Sequence, residues 1–156
     1  MTALTYFVAP MRCPECGGVS PADTTTSMSN QLSAEPAGEV LRVGDRADFV
    51  EADFESTFLP LRKPAAGEPI HVLHEWWCPS CGKQNWAEVV FDKGVVDSIT
   101  AVPFDREAVA RAHYIGEGIL EYYQSVTGKS GYPNHEGRHR QLIDELLSDA
   151  KAGGKS

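Results

Sequence analysis

The chain lacks a charged leader, a long apolar run and an extended cluster of basic residues. Residues 1–11 contain a short apolar run with no charge before it, and no long apolar stretch follows. These absences argue against a secreted disulfide framework and against a membrane protein. We therefore expect a cytoplasmic protein whose thiols are reduced.

Basic residues are outnumbered by acidic ones. The 156 residues include 14 Lys and Arg against 22 Asp and Glu, which gives a formal net charge of −8, and 42% are hydrophobic. This hydrophobic fraction is sufficient for one globular domain with a core. Nucleic acid is not an expected partner, because phosphates require a basic face and the sequence offers only the short pair Arg138 and Arg140.

All the cysteines lie in two copies of one motif, CPECG at residues 13–17 and CPSCG at residues 78–82. A Cys-x-x-Cys pair directs two sulfurs at one metal ion, and two pairs supply the four thiolates of a closed zinc site. The prolines preset φ for a turn, and the glycines allow the positive φ that such a turn requires. The sequence therefore predicts a structural Zn²⁺ with four ligands: Cys13, Cys16, Cys78 and Cys81.

Two other interpretations of the cysteines stay open. Doubled CPxCG motifs also hold iron in rubredoxin-like proteins, and the ligands alone do not separate iron from zinc. Zinc is favoured because the segment between the motifs is much longer than in a compact electron carrier. A thioredoxin-type redox motif is disfavoured because it closes a strand and opens a helix, whereas both motifs continue into glycine and polar residues.

Strand patterns dominate the first two thirds of the chain, and helical patterns the last third. Six segments are predicted strands: residues 5–8, 40–43, 48–59, 70–77, 86–91 and 95–102. The last two flank Asp92-Lys93-Gly94, which predicts a β-hairpin. Apolar residues then recur at intervals of three and four, which predicts one helix from near Asp105 to Gly128 and a second over residues 137–150.

Acidic residues cluster on one face of the predicted strand 48–59 and just before it. The cluster comprises Asp45, Asp48, Glu51, Asp53 and Glu55. Clustered carboxylates accelerate association with positive surfaces, so this cluster is our candidate docking site for a basic protein partner. A solvated sheet face is the alternative. No nucleophile or water-activating metal is placed beside these carboxylates, and we do not expect an enzyme.

Histidine and tryptophan residues near the motifs are interpreted as structural. His71 and His74 precede the second motif, but four thiolates already complete a tetrahedral site. His135 and His139 have the spacing of two ligands on one helical face, but no third ligand is evident nearby. Three tryptophans flank the second motif and are expected to shield the thiolates from water: Trp76, Trp77 and Trp86.

The two motifs, with a hairpin after the second, resemble the zinc-ribbon and rubredoxin-like class over residues 5–18 and 70–102. The paired motif in a small acidic protein is also similar to the double-CXXCG proteins associated with toxin immunity. The zinc-ribbon fold does not by itself imply a function. From the cysteines and the acidic cluster we expect a zinc-stapled, non-enzymatic module that binds a basic protein, and the second resemblance implies its finer form, an immunity-type inhibitor. The alternatives are a nucleic-acid-associated or transcription-accessory zinc ribbon and a rubredoxin-like electron carrier.

The predicted fold class is α+β, with an antiparallel zinc-ribbon-type sheet, a long insertion between the motifs and two C-terminal helices. Residues 1–102 are expected to form the β region, with a mobile loop at about 20–38. Residues 103–150 are expected to form a helical pair packed on it, and residues 151–156 a disordered tail.

Overall fold

A computed structural model describes most of the chain, namely residues 5–21, 28–30, 40–46, 54, 57–128 and 138–154. The protein is α+β, with mixed sheets and three helices among these residues. It divides into two compact units, residues 1–116 and residues 117–156. The predicted boundary at residue 102 therefore lies before the end of the first unit.

The described part of the first unit contains ten short or medium strands: β1 (Thr5–Phe7), β2 (Met11–Arg12), β3 (Val19–Ser20), β4 (Ser29–Asn30), β5 (Val40–Leu41), β6 (Leu59–Pro60), β7 (Ile70–Trp77), β8 (Gln84–Asp92), β9 (Val95–Val102) and β10 (Tyr114–Ile115). They form a five-stranded sheet in the order β6-β10-β7-β8-β9, a three-stranded sheet in the order β4-β1-β5, and the β2-β3 pair. The helices are α1 (Arg106–Arg111), α2 (Ile119–Thr127) and α3 (Arg138–Gly154).

The predicted hairpin is confirmed as β8 and β9, joined by Lys93 and Gly94. Both turn residues have positive φ, 53° for Lys93 and 78° for Gly94. Positive φ at both central positions is typical of a type I′ turn, whose twist matches that of the flanking strands. The predicted strand at 70–77 is likewise confirmed as β7, and it pairs antiparallel with β8 over its whole length.

The hydrophobic core of the first unit lies on one face of the five-stranded sheet. Alternate residues of β7 and β8 point to it, and segments before the sheet supply aromatic rings: the cluster includes Phe7, Phe54, Phe58, Val72, Trp76, Val89, Phe91 and Tyr114. The Phe54 ring lies 5.2 Å from that of Phe91 and 5.5 Å from that of Tyr114. Leu73 and Trp86, on the other face of the sheet, are also buried, so the central strands are covered on both sides.

The prediction of one long helix from residue 105 to residue 128 is wrong, and the five-stranded sheet is mixed, so the predicted antiparallel zinc-ribbon-type sheet is not confirmed. Helix α1 ends at Arg111, and the chain enters β10, which pairs in parallel with β7. The amide of His113 donates to the carbonyl of His71 at 2.8 Å, and that of Gly116 donates to Leu73 at 2.8 Å. Pairing with a strand more than 40 residues earlier has replaced the helical hydrogen bonds here, which local periodicity cannot indicate.

The predicted strand at 48–59 is wrong at Phe54 and Thr57, and of its described residues only Leu59, the first residue of β6, lies in a strand. Phe54 and Thr57 are helical, and the amide of Phe58 donates to the carbonyl of Phe54 at 2.8 Å, an i to i+4 bond. One helical turn puts Phe54 and Phe58 on the same buried side, and an alternating strand would do the same, because residues four apart share a face in both structures. Residues 48–53 and 55–56 lie outside the described residues, as does most of the predicted loop 20–38.

The second unit contains α2 and α3, which pack against each other. The hydroxyl of Tyr123 donates to Glu145 at 2.9 Å, and α3 buries four aliphatic side chains: Leu142, Ile143, Leu146 and Leu147. Gly128 ends α2 with a φ of 75°, the left-handed conformation common at helix C-termini. Helix α3 continues to Gly154, past its predicted end at residue 150. None of the helices in the described ranges is long and apolar enough to cross a membrane.

Candidate metal centre

Each CPxCG motif forms the turn of a β-hairpin. Residues 13–18, which we call knuckle 1, connect β2 to β3, and residues 78–83, knuckle 2, connect β7 to β8. The backbone closes the two knuckles with equivalent bonds. In knuckle 1, Cys13 donates to Gly18 at 2.9 Å and Gly17 donates to Cys13 at 2.8 Å. In knuckle 2 the corresponding distances are 3.0 Å and 2.8 Å.

The glycine after each second cysteine has the positive φ that the sequence predicted. Gly17 has a φ of 77° and Gly82 a φ of 75°. A Cβ built at either position meets no atom within 4 Å, so the requirement for glycine is conformational and not one of space. These two residues turn the chain so that the backbone amides face the sulfurs.

The four cysteine sulfurs converge on one point, and all lie within 4.8 Å of one another. Across the knuckles, the sulfurs of Cys13 and Cys81 are 3.6 Å apart, and those of Cys16 and Cys78 are 3.7 Å apart. A tetrahedron with metal–sulfur bonds of about 2.3 Å has edges of about 3.8 Å. The donor set and its spacing therefore fit one tetrahedral metal ion, and the geometry by itself does not identify the element.

Backbone amides surround the sulfurs in the same pattern in both knuckles. The Cys13 sulfur accepts from the amides of Glu15, at 3.4 Å, and Cys16. The Cys78 sulfur accepts from the equivalent amides of Ser80 and Cys81. The second cysteine of each motif also accepts from the backbone. The amide of Gly18 donates to Cys16, and the amide of Lys83 donates to Cys81. Such donors stabilise thiolates, and this stabilisation is needed where four sulfurs lie close together.

The thiols of each cross-knuckle pair differ in acidity. Burial would raise the pKa of Cys13, but the amide hydrogen bonds lower it from 9.0 to about 6. The amide of Cys81 likewise lowers the pKa of Cys78. The amide of Lys83 lowers the pKa of Cys81, but partial burial and the Cys13 sulfur outweigh it and raise the pKa to about 12.

Cys16 behaves as Cys81 does. The amide of Gly18 lowers the pKa of Cys16, but the Cys78 sulfur opposes it and the pKa is raised above 9.0. Each pair thus combines a thiol whose pKa is lowered with one whose pKa is raised. A metal ion must displace the protons that the thiols still carry, so its affinity increases with pH.

A buried polar residue, which the sequence analysis did not predict, follows each knuckle at the same spacing. Ser20 and Asn85 both lie seven residues after the first cysteine of their motif, and both are buried. The Ser20 hydroxyl accepts from the amide of Met11 at 3.2 Å. Asn85 Nδ2 lies 3.6 Å from the Cys13 sulfur and donates to the carbonyl of Lys83 at 3.2 Å. The equal spacing in the two motifs is the signal that could have identified this pair.

The other predicted residues do not join the cysteines in the described part of the chain. His71 contacts Glu88, and His74 is buried against the rings of Phe7 and Phe58. His135 lies outside the described residues, and His139 lies near the start of α3. Trp76 belongs to the same buried cluster as Met11, Cys13 and Cys78.

The acidic docking cluster is mostly outside the described residues. Of its members only Asp45 is described, and its carboxylate accepts the backbone N–H of Arg42 at 2.7 Å. Asp48, Glu51, Asp53 and Glu55 are not, so the docking cluster stays a prediction.

Comparison of the chain with protein-family models, curated proteins and solved structures found no match. The site is therefore interpreted from its own geometry. That geometry is a group of four cysteines, from two hairpins, that can hold one metal ion.

Proposed function

We propose that this protein is a non-enzymatic, protein-binding module whose first unit is cross-linked by one structural zinc ion. The observation that carries the proposal is the convergence of four sulfurs from two hairpins separated by 61 residues between Cys16 and Cys78. Strands β2 and β3 have only two residues each, so backbone pairing gives the first hairpin little stability of its own. A metal ion bound by both knuckles joins this hairpin to the five-stranded sheet.

Zinc is proposed because the role is structural. Structural zinc sites are closed sets of four ligands, and Cys₄ is one of their usual compositions. The amide donors described above reduce the mutual repulsion of four thiolates around a divalent ion. Zinc supplies the cross-link without any redox change.

Elemental analysis of the purified protein tests the metal. We expect one zinc per chain, retained on dialysis and lost from a variant with Cys13→Ser and Cys78→Ser. Ser80→Ala is the matched control, because Ser80 lies in knuckle 2 and its side chain is not a ligand. Absence of stoichiometric metal from the wild type would reject the proposal.

Binding of a basic protein is supported by the net charge of −8 and by the acidic cluster of the sequence. We propose this partner class, and an immunity-type inhibitor of a basic toxin as its finer form, on charge and motif resemblance. Carboxylate clusters increase association rates with positive surfaces, and the increase is screened by salt. The partner is to be isolated from the native host and its association rate measured against ionic strength.

A charge-matched pair of variants makes this test specific. Replacing Glu51, Asp53 and Glu55 by Gln, Asn and Gln should slow association at low salt, with little change in folding, because exposed carboxylates contribute little to stability. The control replaces the exposed Glu107, Glu117 and Glu121 by Gln, which removes the same charge elsewhere. Equal rates for the two variants at every salt concentration would assign the effect to net charge and reject the docking cluster.

An electron carrier is a second candidate, favoured by one observation. Cys16 and Cys81 are exposed whereas Cys13 and Cys78 are buried, so one side of the centre faces solvent. Solvent exposure and hydrogen bonds to sulfur set the potentials of iron–sulfur centres. A red protein with reversible loss of visible absorption on reduction would support this function, and a colourless zinc protein would exclude it.

A further inference from the structure

A second polar cluster lies in the first unit, far from the metal centre. His71 precedes Cys78 by seven residues in β7, which places it about 23 Å away along an extended strand. Its neighbours come from β8, α1, the residue just before β10 and the segment between β6 and β7. The cluster comprises Arg62, Glu68, His71, Glu88, Arg111 and His113.

His113 holds the backbone of His71 in place. Its Nδ1 accepts the amide hydrogen of His71 at 3.0 Å, and its own amide donates to the carbonyl of His71 at 2.8 Å. Because Nδ1 is an acceptor, the ring proton is on Nε2, which lies 3.2 Å from Oε2 of Glu68. His113 is 0% exposed, and both of its ring nitrogens face protein groups. It is a positioning residue and not a ligand.

Glu88 orients the side chains of His71 and Arg111. The Nδ1 of His71 lies 2.6 Å from Oε2 of Glu88, and the Nε of Arg111 donates to the same oxygen at 3.1 Å. A carboxylate at this distance fixes the His71 proton on Nδ1, and Nε2 lies on the side of the ring away from Glu88. Within the described ranges, no group pairs with Nε2 of His71 or with the terminal nitrogens of Arg111. Their side chains are 25% and 45% exposed, so solvent reaches both.

We propose that Nε2 of His71 and the terminal nitrogens of Arg111 bind a phosphate group. Arginine donates two parallel hydrogen bonds to phosphate oxygens, and its charge disfavours a metal cation at the adjacent imidazole. Phosphate suits the imidazole in either state: a protonated ring donates to P–O⁻, and a neutral ring accepts from P–OH. Sulfate has no hydroxyl at neutral pH and is the weaker ligand for the neutral ring.

The other charges of the cluster do not cancel this site. Arg62 lies 3.4 Å from Oε2 of Glu68, so these two residues neutralise each other. Glu88 is balanced by Arg111, and its carboxylate serves to hold both binding groups at one oxygen. The site is thus a locally neutral to positive position on an acidic chain.

Titration of the full chain, loaded with zinc, with inorganic phosphate tests the proposal. The ring nitrogens of His71 and the side chain of Arg111 are followed by NMR at constant ionic strength. We expect saturable shifts at both residues, with sulfate binding more weakly than phosphate. Arg111→Gln should reduce the affinity by about tenfold or more, the loss expected for a charge-assisted hydrogen bond.

The control is Arg106→Gln, which removes the same charge from the exposed first residue of α1. It should bind phosphate as the wild type does. Shifts that do not saturate, or equal affinities in Arg106→Gln and Arg111→Gln, would overturn the proposal and reduce the cluster to an ion-pair network. Melting curves identify a variant that fails to fold. If Arg111→Gln does not fold, Arg111→Lys replaces it, because lysine keeps the charge and loses the paired donors. Weaker phosphate binding is expected of this variant as well.

Discussion

At the scale of single residues, the histidines show how far environment determines chemistry. Three histidines of the first unit, His71, His74 and His113, differ in their contacts: one faces a carboxylate and solvent, one packs among aromatic rings, and one accepts a backbone amide. Neither His71 nor His74 belongs to the group of four cysteines found among the described residues. Sequence spacing gave no role to His113, because that role depends on the register between β10 and β7.

The buried, neutral His113 predicts a loss of stability as pH falls. Burial lowers the pKa of His113 below its ordinary value of 6.5, so between the two values the unfolded chain binds a proton that the folded chain does not. The contribution is complete above pH 6.5 and decreases as the pH falls toward the folded-state pKa. Between about pH 7.5 and about pH 5.5, the melting temperature of the wild type should therefore decrease more than that of His113→Asn.

The wild type and His113→Asn are both measured with saturating zinc. Because their cysteines are the same, cysteine protonation then changes the two melting temperatures equally. Parallel pH profiles for the wild type and His113→Asn would show that the folded chain protonates His113 as readily as the unfolded chain does.

Two adjacent glycines in knuckle 1 provide a matched pair. Gly17 has a φ of 77°, whereas a Cβ on Gly18 makes only ordinary contacts, the closest at 3.6 Å to the Cys16 sulfur. A left-handed conformation costs a non-glycine residue roughly 1–2 kcal/mol. Gly17→Ala should therefore weaken zinc binding about 5–30-fold, and Gly18→Ala should change it little. Competition with a zinc chelator measures both affinities, and equal affinities for the two variants would refute the role given to φ.

At the scale of elements, predictions succeeded where local chemistry determined the structure. The β8–β9 hairpin follows from the turn residues Lys93 and Gly94, and β7 from its continuous β pattern. The helix over 105–128 failed because residues 114–115 gain more from pairing with β6 and β7 than from helical bonds. The strand prediction over 48–59 failed at Phe54 because two phenylalanines four residues apart fit both a helical and an alternating pattern.

Helix α1 has only six residues, so its N-cap should matter. The side chain of Asp105 accepts the amide hydrogen of Ala108 at 2.9 Å. Asp105→Ala should lower the free energy of unfolding by about 0.5–2 kcal/mol, and Asp105→Asn, which keeps an acceptor, by less. Urea denaturation of the zinc-loaded proteins measures the difference. If Ala and Asn were equally destabilising, the loss would reflect the charge and not the cap.

At the scale of the whole molecule, the four candidate ligands could be named from spacing alone, because the two CPxCG motifs specify both the donors and the turns that hold them. The His71 cluster could not, since its residues come from five separate segments that only the topology brings together. Amide hydrogen bonds to the sulfurs follow from the motif as well, once the positive φ of its glycine is recognised.

Removal of the metal should destabilise the first unit unevenly. Structural zinc contributes on the order of 10 kcal/mol in small peptides and less where a core exists, so Cys78→Ser should lower the melting temperature sharply. The amides of β2 and β3 should lose protection from hydrogen exchange first, because two-residue strands have few bonds of their own, while β7, β8 and β9 retain it. Unchanged melting in Cys78→Ser, with Ser80→Ala as the control, would contradict a structural metal.

The separation of the two knuckles also determines when the chain can acquire its metal during synthesis. The 61 residues between Cys16 and Cys78 take about 3–12 s to translate at 5–20 residues per second. Throughout that interval the nascent chain presents only two of the four thiolates, which is half of a tetrahedral site. A metal ion that binds all four thiolates would therefore be captured late, once the β7–β8 hairpin has emerged from the ribosome.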